Sequence, residues 1–174
     1  MQQKVLMVID MQNGVFANPR YDRAGCCERI NQLIDQADRV IFIQHTGEGL
    51  EPGSEAFALL GELHCPDSAL YVTKTACDAF FRTGLAALLR ENGIQHMVIC
   101  GCATDYCVDA TIKNGLSRGF AITVAQDAHT TADRAAAGAE VLIAHYNDVW
   151  RDFIIPDGAL RVRSAADILV EWRG

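Results

Sequence analysis

The chain has no run of Lys or Arg. Its 15 basic residues stand against 22 acidic ones, for a net charge of −7. A protein that grips a phosphate backbone needs a basic patch, so nucleic acid is not expected as a partner. It also has no long hydrophobic run. Val5–Ile9 stops at Asp10, which is too short for a secretory signal. No stretch approaches the roughly 20 apolar residues of a membrane span, so no membrane partner is expected. The seven cysteines match no zinc or iron–sulfur spacing. An odd number in a chain of this size argues against a disulfide framework and for reduced thiols in a cytoplasmic protein. There is no internal repeat, linker or second region of distinct composition. With 174 residues, 50% hydrophobic and 21% charged, one domain over 1–174 with a sizeable core is expected.

What is present is an alternation of short apolar runs and helical spacings. Val5–Ile9, Val40–Ile43, Leu70–Val72, Met97–Cys100, Ala121–Ala125 and Leu160–Val162 read as buried strands. Between them lie helical patterns. The first runs over Cys26–Ala37. A second carries Leu85, Leu88 and Leu89 and closes at Asn92-Gly93. A third carries Val108, Ile112 and Leu116. A long one covers Ala132–Val149, and the last starts at Ser164. The pattern predicts an α/β fold with three α/β/α layers around a six-stranded, mainly parallel sheet. Thr46–Asp67 is the least regular part and reads as a loop with a short helix around Glu55–Leu60, long enough to act as a lid. From Thr46 to Thr73 there are five carboxylates and no Lys or Arg.

In such sheets ligands sit beyond the carboxyl ends of the strands, and three chemically complementary groups are expected there. Asp10 ends the first strand, Lys74 follows the third, and Cys107 opens the helix after the fourth. A helix N-terminus favours an anion, so Cys107 is expected to lean towards thiolate. A carboxylate can take a thiol proton, an ammonium can stabilise the charges, and the sulfur can attack a carbonyl. His45 ends the second strand and suits a ligand or a proton carrier. Cys100 reads as core. Cys102 reads as structural, with a redox partnership to Cys107 as the alternative. Asp127 is placed to brace the turns.

Val8-Ile9-Asp10-Met11-Gln12-Asn13, Lys74-Thr75 with Ala79-Phe80 and Thr83, and Gly101-Cys102-Ala103-Thr104-Asp105-Tyr106-Cys107-Val108 together resemble the motifs of the isochorismatase-like cysteine hydrolases. The resemblance covers most of the chain. It implies the strand order 3-2-1-4-5-6 and a catalytic Asp10, Lys74 and Cys107. It also implies a cis peptide between Cys102 and Ala103, and an oxyanion hole from the backbone N–H groups of Ala103 and Cys107. Gln12, Phe16, His45, Phe80 and Tyr106 are the residues expected to meet a small-molecule substrate. The implied reaction is cleavage of a carboxamide-type C–N bond through a Cys107 thioester, with no cofactor. Family members commonly assemble, so a homodimer or higher oligomer is expected. Nicotinamidases of this family carry an Asp-x-His metal motif after the second strand. Here Phe42-Ile43-Gln44-His45-Thr46 lacks the aspartate, so no metal site is expected. The alternatives are vinyl-ether hydrolysis of the isochorismatase type, which needs no Cys107, and a non-enzymatic thiol redox sensor or ligand-binding module.

Overall fold

A computed structural model describes residues 3–174. Among the described residues six strands form one sheet in which every pairing is parallel: β1 (Val5–Ile9), β2 (Arg39–His45), β3 (Leu70–Lys74), β4 (His96–Cys102), β5 (Ala121–Thr130) and β6 (Leu160–Arg163). Their order is β3-β2-β1-β4-β5-β6. The helices are α1 (Arg23–Ile34), α2 (Leu85–Glu91), α3 (Asp109–Ser117), α4 (Ala139–Arg151) and α5 (Ala165–Arg173).

The strands are apolar at nearly every position because both faces of the sheet are covered. Odd and even residues serve different layers. Val5, Met7 and Ile9 of β1 join Ile41, Ile43, Met97 and Ile99 in a core with Leu85 and Leu89 of α2, Ile112 of α3 and Trp150 of α4. Leu6, Val8, Phe42, Val98 and Cys100 face the other way, onto Cys26, Ile30 and Leu33 of α1 and Ile168 of α5. Cys100 is core, as expected, and its thiol donates to the Met7 carbonyl.

Several boundaries differ from the sequence reading. The first helix spans Arg23–Ile34, and it starts ahead of Cys26 because Asp22 caps it by accepting from the Gly25 N–H. No helix forms over Glu55–Leu60. The carbonyls of Glu55, Ala56, Phe57 and Ala58 accept instead from Asn13, Gly14, Gln12 and Gln44. That segment is thus a wall tied to the outlet of β1, not a free lid. β5 runs on to Thr130, and α4 starts only at Ala139, whose N–H Asp133 accepts at 2.8 Å. Asp127 does brace a neighbouring turn: its carboxylate accepts from the Ala165 N–H at the head of α5.

Candidate active site

Three strand outlets converge. Parallel pairing sets Ile9 beside Gly101 and His45 beside Lys74, so the residues that follow β1, β3 and β4 leave the sheet at one edge. Asp10 turns off β1 with φ 49°, its N–H still donating to the Ile43 carbonyl. Gly101 has φ +115°, and a Cβ there would lie 2.2 Å from the Ile9 carbonyl oxygen. Only glycine lets β4 pass this close to β1 while turning towards the site. The Cys102–Ala103 peptide that follows is cis. Thr104–Val108 then forms a single π-helical turn that leads into α3 and carries Cys107.

The Lys74 ammonium is the hub. It donates to Asp10 Oδ2 at 2.6 Å, approaches His45 Nδ1 at 3.0 Å and donates to Cys107 Sγ at 3.4 Å. Lys74 and Asp10 are buried, and Cys107 is half-buried. Asp10 Oδ1 is buried without a hydrogen-bond partner among the described residues, which leaves one carboxylate oxygen free to accept a proton.

The electrostatics reverse one expectation. Burial pushes the Cys107 thiol up, and the Asp10 carboxylate pushes it further. Lys74 only partly offsets them. The helix N-terminus is therefore outweighed, and the resting sulfur keeps its proton. Burial also raises the Asp10 carboxyl above the ordinary carboxylate range, against the pull of Lys74. Burial lowers His45, and the neighbouring ammonium adds to this; the ring is neutral beside Lys74.

The other expected residues spread out. Gln12 is fully buried and uses its amide on backbone: it accepts from the His45 N–H and donates to the His45 and Phe57 carbonyls. It holds the β2 outlet rather than offering free polar atoms to a ligand. Phe16 is buried in the α1 core, with the Arg23 guanidinium 5.5 Å from its ring. Phe80 stacks on Phe120 in the opposite core. Tyr106 is exposed, with the Arg134 guanidinium 4.7 Å over its ring. Among the described residues no group of three or more His, Cys, Asp or Glu is placed to hold a metal ion. Two cavities, of ≈ 410 and ≈ 570 Å³, lie along different sides of α1, and none of the triad residues lines either.

Sequence reasoning missed the residues that hold the nucleophile turn. Asp105 accepts from Thr131 Oγ1 at 2.5 Å and from Arg134 at 2.8 and 3.1 Å. Burial raises its carboxyl, but these hydrogen bonds hold it below the ordinary range. Thr104 Oγ1 lies 2.8 Å from His129 Nδ1. Trp150 Nε1 donates to Asp109 at 2.9 Å. None has a local signature, because each bond joins positions 25 to 41 apart in the chain.

A family model described as the isochorismatase domain matches residues 4–147. This chain belongs to the isochorismatase family. It is 34% identical over 148 residues to a streptothricin hydrolase of Streptomyces noursei, covering 77% of this chain and 57% of that protein. It is 31% identical over 125 residues to the ureidoacrylate amidohydrolase RutB of Yersinia enterocolitica, covering 71% and 54%. The chain thus spans just over half the length of both relatives. A crystal structure of an isochorismatase family protein superimposes with TM-score 0.84 at 27% identity, covering 92% of this chain and 98% of that one. The sheet order expected from the resemblance is the one observed.

Proposed function

We propose that this isochorismatase-family chain is a cysteine hydrolase of small carboxamides, with Asp10 as the base, Cys107 as the nucleophile and Lys74 as the charge-stabilising group. One observation carries the reading. A single buried ammonium hydrogen-bonds both the carboxylate and the thiol, while the second carboxylate oxygen has no partner. That free oxygen suits general-base work, and a thiol that keeps its proton at rest needs such a base.

In the first half-reaction Asp10 takes the Cys107 proton as sulfur bonds to the carbonyl carbon. The carbonyl electron pair moves to oxygen. The backbone N–H groups of Ala103 and Cys107 are assigned to that oxyanion, the kind of donor worth about 10²- to 10³-fold in rate. Lys74 keeps the site neutral while the proton sits on Asp10. The tetrahedral adduct collapses, the C–N bond breaks, and Asp10 returns its proton to the departing nitrogen. Water then attacks the thioester, with Asp10 as base again, and frees the acid and the thiol. The curated relatives named above include an amidohydrolase, which supports this reaction class.

The test is a screen of carboxamides for ammonia or amine release, run with and without a chelator beside Cys107→Ala. The reading expects turnover of some amides by the parent, unaffected by the chelator and abolished by the substitution. Amide turnover that survives Cys107→Ala would overturn the covalent step, and cleavage of a vinyl ether by both proteins would favour vinyl-ether-type chemistry on Asp10 and Lys74. Turnover that the chelator removes and added metal restores would overturn the metal-free site.

A further inference from the structure

His129 lies at the end of β5, fully buried, and makes two hydrogen bonds whose directions can be assigned. Its Nε2 is 3.1 Å from Asn147 Oδ1. Asn147 donates through Nδ2 to the Gln126 carbonyl at 2.9 Å, which fixes the orientation of its amide. An amide oxygen only accepts, so the imidazole hydrogen sits on Nε2. Burial lowers the ring to about 4, so at neutral pH it carries one hydrogen only. Nδ1 is therefore bare and accepts from Thr104 Oγ1 at 2.8 Å.

Thr104 is the first residue of the turn that carries Cys107. The other end of that turn is held from the same helix. The Trp150 and His129 rings meet in a T-shaped contact with centroids 5.1 Å apart, and Trp150 donates from Nε1 to Asp109, the first residue of α3. Asn147 and Trp150 of α4 thus clamp both ends of one turn, the first through His129, and Cys107 lies between them.

We propose that His129 is a positioning residue: through Thr104 it sets where the nucleophile turn places Cys107 Sγ against Lys74 and Asp10. The inference rests on the triad reading and deepens it. No substrate contact is assigned to His129. Its function is the acceptor at Nδ1, which separates it from residues that merely fill space.

Two substitutions divide the bonds. His129→Asn places a side-chain oxygen near the Nδ1 position and can still accept from Thr104. His129→Gln reaches the Nε2 position, keeps the Asn147 partner and abandons Thr104. Thr104→Val deletes the donor at nearly constant shape, whereas Thr104→Ser keeps it. The readout is the pH–rate profile of Cys107 alkylation by iodoacetamide, resolved by peptide mapping, with the melting temperature measured alongside. It needs no substrate. With the turn released, the sulfur leaves its buried place beside Asp10 and titrates closer to an ordinary thiol near about 8.5.

The expected result is that His129→Gln and Thr104→Val shift the profile to lower pH, with alkylation at pH 8 about tenfold faster for a displacement of about one pH unit. Combining them adds little, and His129→Asn and Thr104→Ser stay close to the parent. If all four keep the parent profile and differ only in melting temperature, His129 is packing and the inference fails. If His129→Asn and His129→Gln shift the profile equally, the Nδ1 acceptor is not the operative contact and it also fails. Asp10→Asn is the control. A parent profile that Asp10→Asn moves but Thr104→Val does not overturns the positioning role alone. A profile that Asp10→Asn leaves unmoved overturns the triad, and the positioning role with it.

Discussion

Lys74 and Asp10 form a buried ion pair, 0% and 3% exposed at their side chains and 2.6 Å apart. Removing one member leaves the other charge uncompensated. Asp10→Asn or Lys74→Met alone is therefore expected to cost about 3–5 kcal/mol of stability. The double variant is expected to recover part of that loss while remaining inactive, and urea titration of the three variants measures it. A double variant as unstable as the sum of the singles would mean that the pair is not coupled as its geometry states. The raised Asp10 carboxyl also sets a pH dependence. As the base it must be ionised, so kcat/KM should fall as pH drops through its raised value, with a midpoint above the ordinary 3.8. The same shift acts on stability with the opposite sense. A carboxyl that binds its proton more tightly when folded contributes most below its unfolded value and loses that contribution as pH rises through the folded one. The acid loss of activity should thus precede any loss of circular dichroism at the same pH. Coincident curves would assign the acid limb to unfolding. Asp10, Lys74 and Cys107 were legible in the sequence because each lies just past a short apolar run or in the turn after one, and such runs end at one edge of a parallel sheet. The protonation of Cys107 was not legible. It depends on how deeply the turn is buried and how near Asp10 lies, and neither is a local property.

β4 and the turn after it show what an element adds. The run Met97–Cys100 marks a strand, but its last residues work by contact with β1. Gly101→Ala would place a methyl carbon 2.2 Å from the Ile9 carbonyl oxygen, at a φ of +115°. The expected cost is more than about 1 kcal/mol, with lost activity, since β1 and β4 carry Asp10 and the nucleophile turn. Thermal unfolding beside activity checks this, and an unchanged melting temperature would contradict the close approach. β5 outran its apolar pattern for a related reason. Its register against β4 passes from Val124 opposite Ile99 to His129 opposite Gly101. The bulge keeps polar residues such as Gln126 and Asp127 in the strand, although their pattern reads as a turn. α1 and α4 moved because their caps, Asp22 and the Asp133–Ala139 bond, are set by neighbouring loops. The expected Glu55–Leu60 helix failed because its carbonyls serve Asn13, Gly14, Gln12 and Gln44.

The whole chain carries a net charge of −7, and its least regular segment adds to one region of that field. Glu48, Glu51 and Glu55 are exposed. They precede or fall within the wall that packs against Gln12, whose amide holds the His45 outlet. An acidic segment beside the β1 and β2 outlets attracts cations, so cationic or neutral amides should be turned over with higher kcat/KM than matched anionic ones. The preference should shrink as salt rises, because exposed charges are screened beyond roughly 10 Å at 0.1 M. Changing Glu48, Glu51 and Glu55 together to Gln should reduce the preference, and equal rates at every ionic strength would leave the segment as surface. The layering was readable at this level because strand and helix patterns alternate along the chain, whereas the sheet order was implied only by the resemblance of the three motifs. The placement of Phe16 and Phe80 in opposite cores was not, since a phenylalanine beside a motif reads the same whether it meets ligand or packs beneath it. The claim on which the rest depends is the covalent step. Acid quenching of the parent during turnover of an amide found by the screen, followed by intact-mass and peptide mapping, tests it directly. The account predicts an adduct equal to the acyl part of that amide on the Cys107 peptide, absent in Cys107→Ala. Turnover with no adduct on Cys107, retained after the substitution, would contradict it.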